Sequence, residues 1–215
     1  MPVEKLFWSD PYLTRTEAVV TSVDGDLVTL DRTVTFAFSG GQASDEGTIA
    51  GLPIIEARKS GLNIEYVLPV GHGLQPGQPV EVVIDAATRR RLVRLHFAAE
   101  LVLELMTRHH PEAAKVGANI TRDKARVDFA WPGNIAETFP LLEAEIERLV
   151  REDRPVASDF SDVPMQARYW EIEGFARVPC GGTHPRSTGE VGRVALRRAN
   201  PGRGKERIEI YLAGD

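Results

Sequence analysis

Residues 85–109 read DAATRRRLVRLHFAAELVLELMTRH, and the rest of the chain is parsed from this stretch. From Ala86 to His109 it holds no glycine or proline, and Leu92, Leu95, Ala99, Val102 and Met106 recur at three- and four-residue steps. That spacing predicts one long helix with a buried face. Asp85 is placed to cap its start, and Pro111 lies just past its end. Toward the N-terminus the pattern is different. Between Gly40 and Pro79 eight glycines and four prolines cut the chain into pieces too short for helices. Thr16–Val23, Asp24-Gly25 and Asp26–Leu30 read as a hairpin, because Asp-Gly accepts the positive φ of a tight turn. Val34–Phe38, Ile54–Ala57, Asn63–Leu68 and Val80–Ile84 are further strand candidates, a spacing that suits a small barrel or a sandwich. Toward the C-terminus a second helix is predicted from Ile135 or Glu137 to Arg151. Strands are predicted at Ala125–Ala130, Arg168–Ile172, Val191–Leu196 and Ile208–Leu212. The class is therefore α+β, with a β domain over 1–84 and a mixed domain over 85–215.

The 215 residues carry 26 Lys+Arg against 31 Asp+Glu, a net charge of −5, and one cysteine. A lone Cys180 cannot close an internal disulfide, so a disulfide-built secreted domain is excluded. The start MPVEKLFWSDPYL lacks a basic n-region and an apolar h-region, and no window reaches the roughly 18 apolar residues of a membrane span. These features predict a cytoplasmic chain with no membrane partner, and no obligate protein partner is evident. Net acidity argues against generic nucleic-acid binding and leaves room for a local basic face. Basic residues gather at Arg89, Arg90, Arg91 and Arg94, and again at Arg197, Arg198, Arg203, Lys205 and Arg207.

Three local patterns carry chemistry. In Cys180-Gly181-Gly182-Thr183-His184 two glycines let a thiol and an imidazole converge, although the spacing alone fits a buried cysteine beside an unrelated histidine equally well. His96 and Glu100 are one helical turn apart on the long helix and share a face. Together the four side chains offer N₂OS donors acceptable to tetrahedral zinc. Gly40-Gly41-Gln42-Ala43-Ser44-Asp45-Glu46-Gly47 can present backbone N–H groups and the Gln42 amide, or be a turn between strands; it lacks the lysine of a P-loop.

Taken in order, GGQASDEGTI (40–49), Asp85 through RRRLVRLH to His96, ARVDF (125–129), CGGTHPRSTGEVG (180–192) and GKERIEIYL (204–212) resemble the free-standing alanyl-tRNA editing proteins, relatives of the editing domain of alanyl-tRNA synthetase. The likeness implies an N-terminal β-barrel and a two-layer α/β editing domain, with zinc held by His96, Cys180 and His184 and with Gln42 in the substrate pocket. The implied activity is ATP-independent hydrolysis of tRNA(Ala) mischarged with serine or glycine, serving translation fidelity. One departure stands out. The family's helix carries H-x-x-x-H with a small hydroxyl residue after the first histidine, whereas this chain has His96-Phe97-Ala98-Ala99-Glu100. Glu100 is then either a fourth ligand or a general base on water, and Phe97 faces the substrate without a hydroxyl. Backbone N–H groups of Gly181, Gly182 and Thr183 are candidates to receive the developing oxyanion. Two rivals follow from the same residues: a tRNA-binding module that has lost catalysis, and a hydrolase of another ester using Cys180 as nucleophile with His184 as base.

Overall fold

A computed structural model describes residues 2–214. Two compact units emerge, one built from Ala43–Arg90 and the chain before Gly40, the other from Gly40–Gln42 and the chain from Arg91 onward. The class is mixed α/β, rich in strands and poor in helices, with a curled sheet.

The first unit contains β1 (Glu4–Lys5), β2 (Arg15–Asp24), β3 (Leu27–Leu30), β4 (Arg32–Thr33), β5 (Gly47–Ile49), β6 (Leu52–Pro53), β7 (Glu56–Ser60), β8 (Asn63–Val67) and β9 (Pro79–Ile84). All but β1 and β4 join one sheet in the order β6-β5-β9-β2-β3-β8-β7, and β1 pairs in parallel with β4. Alternation along β2, β3, β8 and β9 sends Val20, Val28, Tyr66 and Val82 into a shared core, as a half-buried sheet requires. Val34–Phe38, expected as a strand, forms no ladder. Side chains take its backbone donors instead: Thr35 N–H donates to Thr33 Oγ1 at 3.0 Å, Phe36 N–H to Asp45 Oδ2 at 2.6 Å and Phe38 N–H to Ser44 Oγ at 2.8 Å. Such bonds offer the backbone an alternative to a sheet.

Helix α1 (Ala86–His109) has the predicted bounds, and Asp85 Oδ1 accepts from Thr88 N–H at 2.6 Å as its cap. It is buried on more than one face, since Val93, Phe97, Ala98, Leu101 and Leu105 are as inaccessible as the predicted stripe. The second unit adds β10 (Ala114–Ile120), β11 (Ala125–Ala130), α2 (Phe139–Glu152), β12 (Ala157–Asp162), β13 (Ala167–Ile172), β14 (Ala176–Pro179), β15 (Val194–Gly202) and β16 (Lys205–Leu212). They form a four-stranded sheet, β10-β11-β16-β15, and a three-stranded one, β12-β13-β14. Helix α2 starts later than predicted because Ile135–Thr138 is a 3₁₀ turn, capped by Asn134 Oδ1 accepting from Ala136 N–H at 3.1 Å. The strand expected from Val191 begins at Val194 instead, because Thr188–Val191 is a 3₁₀ turn. That turn is structural: Thr188 Oγ1 accepts from Arg154 N–H at 2.8 Å, and Gly189 N–H donates to Asp153 Oδ1 at 3.0 Å, fixing the end of α2. Among the described residues no helix is long and apolar enough to cross a membrane.

Candidate metal centre

The centre of the second unit is built from α1 and the loop after β14. His96 projects from α1, and Cys180 is fixed where its N–H donates to the Arg168 carbonyl at 2.9 Å. The imidazole Nε2 of His96 lies 3.3 Å from Cys180 Sγ, and the rings of His96 and His184 are 5.3 Å apart. One donor atom each from His96, Cys180 and His184 falls within 4.8 Å of the other two. Nitrogen and sulfur ligands around one tetrahedral zinc stand about 3.5 Å apart, so the cluster is close to a ligand set already.

Unpaired atoms point to the same use. His184 Nδ1 is 3.0 Å from Ser158 Oγ, while its Nε2 is buried with no partner among the described residues. When Nδ1–H donates to the serine, the Nε2 lone pair is left for an electrophile, the arrangement that orients metal-binding imidazoles. A buried ring nitrogen without a partner is costly unless an ion takes it. Burial also holds both imidazoles below their ordinary pKa, His184 well below with the charges of His96 and Arg168 adding, so neither competes as a cation. Burial, reinforced by the Glu100 carboxylate, pushes the Cys180 thiol up to about 12. Gly182 N–H bonds to the sulfur and favours its thiolate, the form a divalent ion would stabilise. The residues present therefore fit a metal.

Gly182 has a steric role as well: a Cβ there would lie 2.3 Å from His96 Nε2, whereas at Gly181 nothing comes within 4 Å. Glu100 is outside the three-donor group. Its Oε2 accepts from Trp170 Nε1–H at 3.2 Å, and its carboxylate also bonds to the Cys180 thiol. Phe97, expected to face substrate, is fully buried, edge-on to Trp170 at 5.2 Å and to His184 at 5.9 Å.

Gln42 reaches this unit because the segment before it docks on the edge of β10. Ile120 N–H donates to Gly41 O at 2.7 Å, and Gln42 forms a parallel bridge with Ile120. Only glycine fits at 41, with φ 86° and the Ala118 carbonyl 2.6 Å from where a Cβ would be. Gln42 is fully buried. Its Nε2 donates to Thr183 Oγ1 at 3.3 Å, and its Oε1 has no donor among the described residues.

Several arginines that looked available for phosphate have structural work. Arg89 is fully buried and bonds to Asp45 (Nε–Oδ1 2.9 Å), to Pro11 O and to Val34 O. Arg91 and Arg94 donate to the Arg122 and Val191 carbonyls. Arg198 and Arg207 clamp Glu206 and Asp128 with two bonds each. Sequence reasoning missed Ser158 and Trp170. Ser158 sits on β12, a strand with no hydrophobic alternation to reveal it. Trp170 reads in sequence as one more core aromatic of β13.

No protein-family model matches the chain. It is similar over its length to the alanyl-tRNA editing protein AlaX-M of Pyrococcus horikoshii, 30% identical over 212 residues that cover 97% of each protein. The AlaX-M protein of Methanosarcina barkeri is 30% identical over 240 residues, covering 97% of this chain and 98% of that one. Similarity to the alanine–tRNA ligase of Metallosphaera sedula, 29% identical, covers all of this chain and 26% of the ligase.

Proposed function

The chain belongs to the family of alanyl-tRNA editing proteins, and on that premise we propose that it hydrolyses, in trans, the ester of tRNA(Ala) mischarged with serine or glycine. The observation that carries the reading is the convergence of His96, Cys180 and His184, whose donor atoms lie within 4.8 Å of one another and whose His184 Nε2 has no partner among the described residues. The substrate class has a physical logic. A pocket that accepts alanine cannot exclude glycine by size and rejects an added hydroxyl weakly, so a second hydrolytic sieve is useful.

In this reading His96, Cys180 and His184 would hold a zinc ion, which would supply Lewis acidity for the ester carbonyl and for water. Ser158 holds the His184 tautomer that can ligate. Gln42, steadied by Thr183, offers its Oε1 to the ammonium or hydroxyl of the aminoacyl group. Gly182 N–H backs the sulfur, and backbone N–H groups of this loop are the donors for the oxyanion. Phe97 serves the pocket as the apolar wall behind His184. The curled sheet of the first unit supports reading residues 1–84 as a small β-barrel ahead of an α/β editing domain, in a cytoplasmic protein. A nucleophilic Cys180 has little support, because burial keeps the thiol protonated near neutral pH.

The test is deacylation of seryl- and glycyl-tRNA(Ala), with alanyl-tRNA(Ala) as control, before and after chelation and zinc restoration. Selective hydrolysis that chelation abolishes and zinc restores is expected, with Cys180→Ala and His184→Ala losing metal and activity together. Folded, zinc-loaded protein that hydrolyses no charged tRNA refutes the reading in favour of a binding module.

A further inference from the structure

The geometry points to Trp170 as a positioning residue whose indole N–H holds the Glu100 carboxylate beside the three-donor centre, where it accepts the proton of the attacking water rather than serving as a fourth ligand. The inference rests on the editing reading above. Trp170 is fully buried, and its Nε1–H has the Glu100 Oε2 acceptor at 3.2 Å. A buried indole N–H needs an acceptor, so the bond restrains the carboxylate as firmly as the ring itself is restrained. The ring is held edge-on against Phe97, which is also fully buried and lies one residue after His96. The same strand, β13, carries Arg168, whose carbonyl accepts from Cys180 N–H. One stretch of backbone thus sets both the sulfur and, through Trp170, the carboxylate.

Glu100 contacts the Cys180 thiol, yet its oxygens lie outside the group of donor atoms that fall within 4.8 Å of one another. Three protein ligands with an open position are the pattern of catalytic zinc sites, and four that of closed structural ones. With Oε2 tied to the indole, the carboxylate's remaining bond is the one to the Cys180 thiol, and it would be given over to water once a bound ion expels the thiol proton. In the step, the water oxygen bonds to the ester carbonyl carbon as Glu100 Oε1 takes the water proton. The carbon–oxygen bond to the ribose then breaks, and Glu100 returns the proton to the departing ribose oxygen. The products are a free amino acid and an uncharged tRNA, and the carboxylate is regenerated.

Two spectra and one kinetic series test the assignment. The chain has three tryptophans, Trp8, Trp131 and Trp170. In ¹⁵N–¹H spectra of the metal-free protein, Glu100→Ala is expected to move the indole peak of Trp170, identified by its absence in Trp170→Phe. Adding zinc to the parent should leave the Trp170–Glu100 bond in place. With cobalt(II) in place of zinc, Glu100→Ala should keep the parent's visible absorption bands, and His184→Ala should change them. Glu100→Gln is expected to lower kcat on mischarged tRNA by about 100-fold or more with KM within about twofold. Trp170→Phe should lower kcat by roughly 10-fold, and the double variant should be no slower than Glu100→Gln alone, because the indole acts only through the carboxylate. Cobalt bands altered by Glu100→Ala overturn the proposal by making Glu100 a ligand. Unchanged indole peaks, or losses that multiply in the double variant, overturn the role of Trp170. An inactive parent with unaltered cobalt bands refutes editing, and the proton-transfer role with it, while leaving the three-ligand centre standing.

Discussion

Replacing Gly182 by alanine sets the packing of the CGGTH loop directly against the metal centre. The new Cβ would stand 2.3 Å from His96 Nε2, 2.6 Å from Cε1 and 3.1 Å from Cδ2. Ordinary contact begins at 3.4 Å, so ring and loop must separate by about 1.1 Å. Ligand distances tolerate about 0.2 Å, and functional constellations about 0.5 Å, so His96 leaves the ligand set. A full zinc site binds with roughly 10–16 kcal/mol, which makes one lost ligand worth about 3 kcal/mol, or on the order of 100-fold in affinity. Gly181→Ala is the internal control, because nothing lies within 4 Å of its Cβ and its φ is not in the left-handed region. Competition titration of zinc against a chromophoric chelator, with circular dichroism to confirm folding, measures both variants. Equal affinities for folded Gly182→Ala and the parent would refute the argument that His96 Nε2 is a ligand packed against this glycine.

Zinc affinity should rise about tenfold per pH unit between about pH 6.5 and 8, with one proton released per ion. The sign follows from burial: both histidines are held neutral, while the Cys180 thiol, pushed up to about 12, still carries the proton the ion must expel. Calorimetry in two buffers of different ionisation heat counts that proton, and a count near zero contradicts the assignment. Ser158→Ala should weaken zinc binding by roughly 10–100-fold with little change in fold, since it removes only the partner of His184 Nδ1; unchanged affinity in the same titration would rule that partner out. In the first unit, Asp45→Ala strands the fully buried Arg89 without its carboxylate and should cost about 3–5 kcal/mol of stability in urea unfolding. A loss under about 1 kcal/mol would show that the pair does not hold the loop.

What was readable from sequence is what depends on near neighbours. Helix α1 announced itself because its periodicity, its Asp85 cap and its lack of glycine act within a few residues of each other. Cys180 and His184 were legible as a pair for the same reason, being four residues apart around two glycines. Strands β10 and β12 were not, because their residues are small or exposed and carry no alternation; partner strands define them. Val34–Phe38 looked like a strand by composition, and only the fold brought Asp45 and Ser44 to take its backbone donors. The run Gly40–Gly47 divides in the same way: Gln42 pairs with Ile120 in the second unit, and Asp45 is tied to Arg89 in the first. Spacing placed Glu100 on the face of His96. That its carboxylate answers to Trp170, 70 residues away, and that Ser158 steers His184, 26 away, were settled by tertiary structure alone, since a hydrogen bond depends on distance in space and leaves no period in the chain.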